Sequence, residues 1–193
     1  MITHIQGKLT QKNPTSVIID CNGVGYLIHV SLHTFSQLPE SENLKLYTHL
    51  QIREDAHTLY GFASLAEREI FRLLISVSGI GTNTARTMLS SLTPNQVKEA
   101  IASEDAAVIQ SVKGIGTKTA QRVIIELKDK VLKVYDLDES LVTPNNTNKD
   151  EALSALEVLG FAKKQSERVV DKILKTQYDA AVETIIKEAL KNL

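Results

Sequence analysis

Two short segments hold the residues best placed to do chemistry. Val77-Ser78-Gly79-Ile80-Gly81-Thr82-Asn83-Thr84-Ala85-Arg86 aligns with Val112-Lys113-Gly114-Ile115-Gly116-Thr117-Lys118-Thr119-Ala120-Gln121 at an offset of 35 residues. In each copy the first glycine, Gly79 or Gly114, permits a positive φ angle, and the second, Gly81 or Gly116, lets a foreign backbone come close. Ile80 and Ile115 between them can point inward and lock the connection. A helix opening directly afterwards starts with unpaired N–H groups, which attract an anion, and phosphate is the natural ligand. Lys118 and Arg122 in the second copy, and Arg86 in the first, can add charge along a phosphate track. One Gly-Ile-Gly alone reads equally well as a tight turn between packed helices. Two in register, each followed by Thr-x-Thr-Ala, point to a shared ligand.

Two other glycine motifs fail on spacing. A dinucleotide fingerprint needs a third glycine, where this chain has Thr84 and Thr119, and a preceding strand, where it reads as helix. A Walker A loop needs Gly-Lys-Ser/Thr, but Gly116-Thr117-Lys118-Thr119 has an extra residue before the lysine. Nucleotide hydrolysis by this chain is therefore not expected.

Glu54 and Asp55, within Arg53-Glu54-Asp55-Ala56-His57, are adjacent carboxylates at an expected hairpin tip. They read as a solvated turn or as part of a nuclease-like metal site, and no third acid at useful spacing completes the latter. The histidines (His4, His29, His33, His49 and His57) all fall in the first third of the chain. His29-x3-His33 resembles half a zinc site without its other half, so no metal and no cofactor is expected. Leu156, Leu159, Phe161 and Leu190 form an apolar set near the C-terminus that serves either as core or as a docking surface.

The elements that must position these residues can be read from periodicity. Segments 2–10, 16–21, 24–30, 44–52 and 58–62 are short and rich in β-branched or aromatic residues. Asn22-Gly23 between two of them is a hairpin signal. Five such strands suit an OB-type barrel, with a small sandwich as the alternative. Segment 66–77 has helical spacing, Thr93-Pro94 opens a helix to about residue 102, and 117–134 is the longest periodic run. Residues 137–149 are polar and aperiodic and read as a linker. Helices at 150–159, 163–175 and 179–193 follow, the first stopped by Gly160. The expected fold class is α+β, with parts at 1–63 (barrel), 64–140 (tandem hairpin helices), 141–149 (linker) and 150–193 (three helices).

Composition narrows the function classes. The chain has 193 residues, 22 Lys+Arg against 23 Asp+Glu, and one cysteine, Cys21. An internal disulfide framework is excluded, and a reducing compartment is expected. No apolar stretch is long enough to span a membrane, and no signal peptide is legible at Met1-Ile2-Thr3-His4, so a soluble cytoplasmic protein is expected. The charge is uneven: net −1 over 1–63, +3 over 64–135 and −3 over 136–193. The part with the hairpins is the basic one.

With these features in place the chain resembles the RuvA family, the Holliday-junction-binding subunits of the bacterial RuvAB branch-migration machine. The resemblance covers the whole chain. It rests on Gly23-Val24-Gly25-Tyr26, on Arg53-Glu54-Asp55-Ala56 before Leu59-Tyr60-Gly61-Phe62, on both Gly-Ile-Gly hairpins and on 156–161. It implies a homotetramer, or two tetramers face to face, holding a four-way junction open and square-planar in recombination and repair. Gly79, Ile80, Gly81, Asn83, Arg86, Gly114, Ile115, Gly116, Lys118 and Arg122 would contact DNA without reading sequence. Glu54 and Asp55 would be the acidic pin near the junction centre. Leu156, Leu159, Phe161 and Leu190, in a UBA-like tail, would bind the hexameric AAA+ ATPase RuvB, which supplies the ATP hydrolysis, and the RuvC resolvase is a further partner in range. The chain departs from the family pattern at Thr82, Asn83 and Thr84, where a basic residue is expected, which makes the second hairpin the stronger one. A metal-dependent junction nuclease and a general duplex-binding module remain the competing readings.

Overall fold

A computed structural model of the chain describes residues 2–39, 43–140, 148–176 and 180–193. Strands β1 (His4–Asn13), β2 (Ser16–Cys21), β3 (Val24–Val30), β4 (Asn43–Ile52) and β5 (His57–Phe62) close a barrel in the order β1-β2-β3-β5-β4. All pairings are antiparallel except β3 with β5. Inward residues alternate along the strands, as Val17 and Ile19 do on β2, and they pack with Ile28, Val30 and Leu46. Asn22 and Gly23 both take positive φ, 54° and 91°, the pair that a tight two-residue hairpin requires.

The barrel departs from the sequence reading at two points. β1 runs on to Asn13 because it serves two neighbours: His4 to Lys8 pair with β4, and Lys8 to Asn13 pair with β2 across a register shift between Leu9 and Gln11. Its polar end carries no apolar alternation to betray it. A one-turn helix, α1 (Leu32–Ser36), joins β3 to β4, capped by the Ser31 hydroxyl on the Thr34 amide at 2.9 Å. Five residues are too few to show a helical period.

Helices α2 (Leu65–Ser76), α3 (Thr82–Ser91), α4 (Pro94–Ala102), α5 (Ala106–Gln110) and α6 (Thr117–Ser140) follow. Ser64 caps α2, Asp105 caps α5, and Thr93 with Gln96 forms a reciprocal capping box on α4 with Pro94 at its first position. Ile70, Phe71, Leu74, Met88, Leu89, Val97, Ile101, Val123 and Leu127 fill the helical core, and Tyr60 and Phe62 of β5 belong to the same cluster. The Phe71 ring lies 4.9 Å from that of Phe62 and 5.2 Å from that of Tyr60. The buried Glu67 carboxylate of α2 accepts hydrogen bonds from Ser31 (2.6 Å) and Thr34 (2.7 Å), which offset its desolvation and tie α1 to α2. Barrel and hairpin helices, separate stretches in sequence, thus form one compact unit, Met1–Asp138.

The second unit, Glu139–Leu193, contains α7 (Asn148–Val158), α8 (Lys163–Thr176) and α9 (Val182–Asn192) around Ala152, Leu153, Leu156, Val170, Ile185 and Ala189. Gly160, at φ 96°, ends α7 as expected. Its amide bonds the Glu157 carbonyl (3.0 Å) and the Phe161 amide bonds that of Leu156 (3.1 Å), the paired closure of a Schellman motif. The expected linker at 137–149 is shorter in the structure. Residues 137–140 continue α6, since nothing before Pro144 breaks a helix, and 148–149 open α7; residues 141–147 of that expected stretch lie outside those described. Among the described residues no helix is long and apolar enough to cross a membrane.

Candidate nucleic-acid interface

The two Gly-Ile-Gly segments are the turns between α2 and α3 and between α5 and α6. Their geometry repeats. Gly79 and Gly114 take φ of 96° and 94°. The Ile80 amide bonds the Val77 carbonyl at 3.0 Å, and the Ile115 amide bonds the Val112 carbonyl at 3.1 Å. Ile80 and Ile115 are 5% and 6% exposed, the inward anchors expected of them. The first helical bonds run from the Ala85 amide to the Gly81 carbonyl and from the Ala120 amide to the Gly116 carbonyl. Gly81 caps α3 with extended backbone and no side chain. Among the described residues, the amides of Thr82, Asn83 and Thr84, and those of Thr117, Lys118 and Thr119, meet no acceptor. Each helix start is therefore a row of free donors at the positive end of a helix dipole. A Cβ built on Gly81, Gly114 or Gly116 would meet nothing within 4 Å, so the space outside these turns is open to a second molecule.

Side chains divide into two groups. Asn83 and Lys118 are exposed beside the free amides, and so is Lys113, which the sequence reading aligned but did not assign a role. Its position directly before Gly114 was the available signal. The two arginines behave differently. Arg86 turns back onto the barrel, where Nη1 donates to the Thr15 carbonyl at 3.3 Å and lies 3.4 Å from His29 Nδ1. Burial, then the Arg86 charge, holds the His29 imidazole below its ordinary pKa. Arg122 Nη1 donates to the Ser78 carbonyl of the other hairpin at 3.1 Å. The expected phosphate-contacting arginines are thus both anchored on protein backbone.

The acidic pair sits where the sequence put it. The turn from β4 to β5 is closed by the Arg53 amide on the Ala56 carbonyl at 2.9 Å, and Glu54 and Asp55 are both exposed at its tip. β5 links this tip to the first hairpin, because the Tyr60 hydroxyl donates to Thr82 Oγ1 at 2.9 Å, a buried bond at the start of α3. Among the described residues, no group of three His, Cys, Asp or Glu side chains could hold a metal ion. His29 and His33 go to different partners, Arg86 and Gln37.

In the second unit the four apolar candidates separate. Leu156 is fully buried and is core, not surface. Phe161 packs against the same cluster, as the residue after a Schellman glycine commonly does. Leu159 and Leu190 are 58% and 46% exposed, and Val158, not one of the four docking candidates, is 85% exposed.

Taken together these features define a class: tandem helix–hairpin–helix motifs built onto an OB-type barrel, with a separate three-helix unit. Comparison with known proteins gives the same order of parts. The model of the RuvA N terminal domain matches residues 1–61, that of the SAM-like helix-hairpin-helix tandem matches 71–129, and that of the RuvA C-terminal domain matches 147–193. The chain is 66% identical over 193 residues to the Holliday junction branch migration complex subunit RuvA of Flavobacterium psychrophilum, covering all of both chains. It is 53% identical to the protein of that name from Cytophaga hutchinsonii, over 99% of each, and 48% identical to that of Bacteroides thetaiotaomicron, over the whole of each. The chain belongs to the RuvA family.

Proposed function

We propose that this chain binds four-way DNA junctions as the DNA-holding subunit of a branch-migration complex. The observation that carries the reading is the pair of hairpins with equivalent backbone, each presenting free amides and an open glycine. Backbone amides and glycines engage phosphates and not base edges, so binding is independent of sequence. Four copies around a junction would grip its arms and hold it open and square-planar. The exposed Glu54 and Asp55 of each copy would repel phosphates within about 8 Å, the screening length at physiological salt, and so keep backbones out of the centre while strands separate. The chain is not the motor. ATP hydrolysis falls to a RuvB-type hexamer recruited by the tail, with Leu159 and Leu190 the exposed candidates for its docking. The division of labour follows the parts read from sequence: 1–63 for the pin, 64–140 for the grip, 150–193 for the motor.

Parallel binding of a four-way junction and a linear duplex of equal length, in EDTA, tests this. The parent should prefer the junction. The double substitution Glu54→Gln with Asp55→Asn should bind linear duplex severalfold more tightly, from about 1 kcal/mol of relieved repulsion, and lose junction preference. A parent with no preference would end the junction reading. A double variant that binds duplex no better than the parent would end the role given to the pin.

A further inference from the structure

The second arginine of the expected phosphate track has a different geometry from the one its sequence position suggests. Arg122 lies in the second turn of α6, behind the second hairpin. Its Nη1 reaches across to the Ser78 carbonyl, next to Gly79 in the first hairpin. A second contact runs in parallel: a Cβ built on Gly79 would lie 3.9 Å from Thr119 Oγ1, so the first turn of α6 already abuts the first hairpin. Glu126, one helical turn on, stands 3.9 Å from Arg122 Nε and biases the guanidinium along the helix.

We propose that Arg122 is a positioning residue: it clamps the first hairpin to the second so that the two rows of free amides face DNA as one fixed pair. This inference rests on the phosphate-gripping reading of the hairpins. The physical case begins with the first hairpin itself. It has no lysine behind its second glycine, only Asn83, so its grip depends on backbone amides. Amide donors bind an anion well only when their orientation is set in advance, because ordering a turn on binding subtracts from affinity. Tyr60 fixes the α3 side of that turn through Thr82, and Arg122 fixes the side before Gly79. A carbonyl that accepts from a guanidinium is also held in one peptide orientation, and the Gly79 amide belongs to that same peptide unit. The planar fork of arginine suits this use better than the single ammonium of lysine.

The test uses the full chain with Arg122→Met and Arg122→Lys, and Ser78→Ala as a control that keeps the accepting carbonyl. Amide hydrogen exchange without DNA reads the clamp directly. Both Arg122 variants should exchange faster than the parent at the hydrogen-bonded Ile80 and Ala85 amides that flank the turn, and Ser78→Ala should not. Junction affinity should fall about three- to tenfold in both Arg122 variants, with the slope of log affinity against log salt unchanged. A residue that neutralises a phosphate behaves otherwise: its loss lowers that slope by about 0.9, and lysine restores binding. Unchanged exchange in Arg122→Met, or full rescue by Arg122→Lys, would overturn the proposal. If parent and variants alike ignored junction DNA while exchange still rose, the clamp would stand and the phosphate-gripping reading would fall.

Discussion

The two glycines of each hairpin should fail in different ways when a methyl group is added. At Gly79 and Gly114 the backbone is left-handed, with φ of 96° and 94°. An L-side chain there costs about 1–2 kcal/mol, and the lower entropy of the unfolded alanine chain returns about 0.4–1 kcal/mol. The nearest atom to a Cβ on Gly79 is at 3.9 Å, and none lies within 4 Å of one on Gly114, so the cost is backbone strain alone. The net is about 1 kcal/mol, or roughly 2–5 °C in melting temperature for a unit of this size. At Gly81 the backbone is extended, φ −86° and ψ 168°, and Gly116 likewise lies outside the left-handed region. Alanine there gives up a better helix cap, up to about 1 kcal/mol, and recovers a similar amount from the unfolded chain. Melting should barely move. Junction affinity should still fall, by about tenfold or 1.4 kcal/mol, because the methyl group occupies the open space that a phosphate backbone would enter. The loss should be greater at Gly116, where Lys118 adds charge, than at Gly81, where Asn83 stands. Differential scanning fluorimetry and fluorescence anisotropy on the four single variants separate these effects. Equal melting losses in all four, or parental binding by Gly81→Ala and Gly116→Ala, would refute the assignment of strain to one glycine and access to the other.

Two other predictions concern stability. His29 and His49 both sit below the ordinary imidazole pKa of 6.5, each mainly through burial, with Arg86 adding to the shift at the first and Arg72 and Arg68 at the second, where Glu69 opposes them. The unfolded chain then takes up protons first, so stability should fall as pH drops through and below the ordinary imidazole value, and His29→Gln with His49→Gln should flatten that dependence in thermal melts. In the second unit, Leu156→Ala should cost about 2–5 kcal/mol and remove most of the helical signal of that unit. Leu159→Ala should leave the signal intact by circular dichroism and lower only stimulation of a RuvB-type motor.

The strands were legible because barrel residues alternate, and the hairpins because a glycine pair recurs at a fixed offset. What escaped reading was whatever depends on distant partners. α1 is held by Ser31 and by the Glu67 carboxylate, 36 residues further along the chain. The end of β1 is set by its second neighbour, not by its own pattern. Leu156 and Leu159 have the same chemistry and lie within one helical turn, yet one is core and the other exposed. Only the packing of α8 and α9 against α7 decides which. The arginines illustrate the same point for the site. Position behind a helix start suggested phosphate, whereas reach and a free carbonyl nearby decided the bond.

By formal side-chain count, a net charge of −1 is a poor match for DNA. Counting side chains misses the positive groups that matter here. Each hairpin offers peptide N–H groups, which carry no formal charge but sit at the positive end of a helix dipole. Such donors bind phosphate without the long-range field of a lysine cluster, so they add little nonspecific attraction along ordinary duplex. Exposed Lys113 and Lys118 enter no ion pair among the described residues and supply a modest field of their own. On the proposed reading, the carboxylates at the β4–β5 tip would then act against a weak attraction, not a strong one. In that balance two acidic residues would be enough to decide between DNA geometries, whereas on a strongly basic protein they would be swamped. On that reading the near-neutral composition would be part of how such a site prefers the shape of a junction to the mere presence of phosphate.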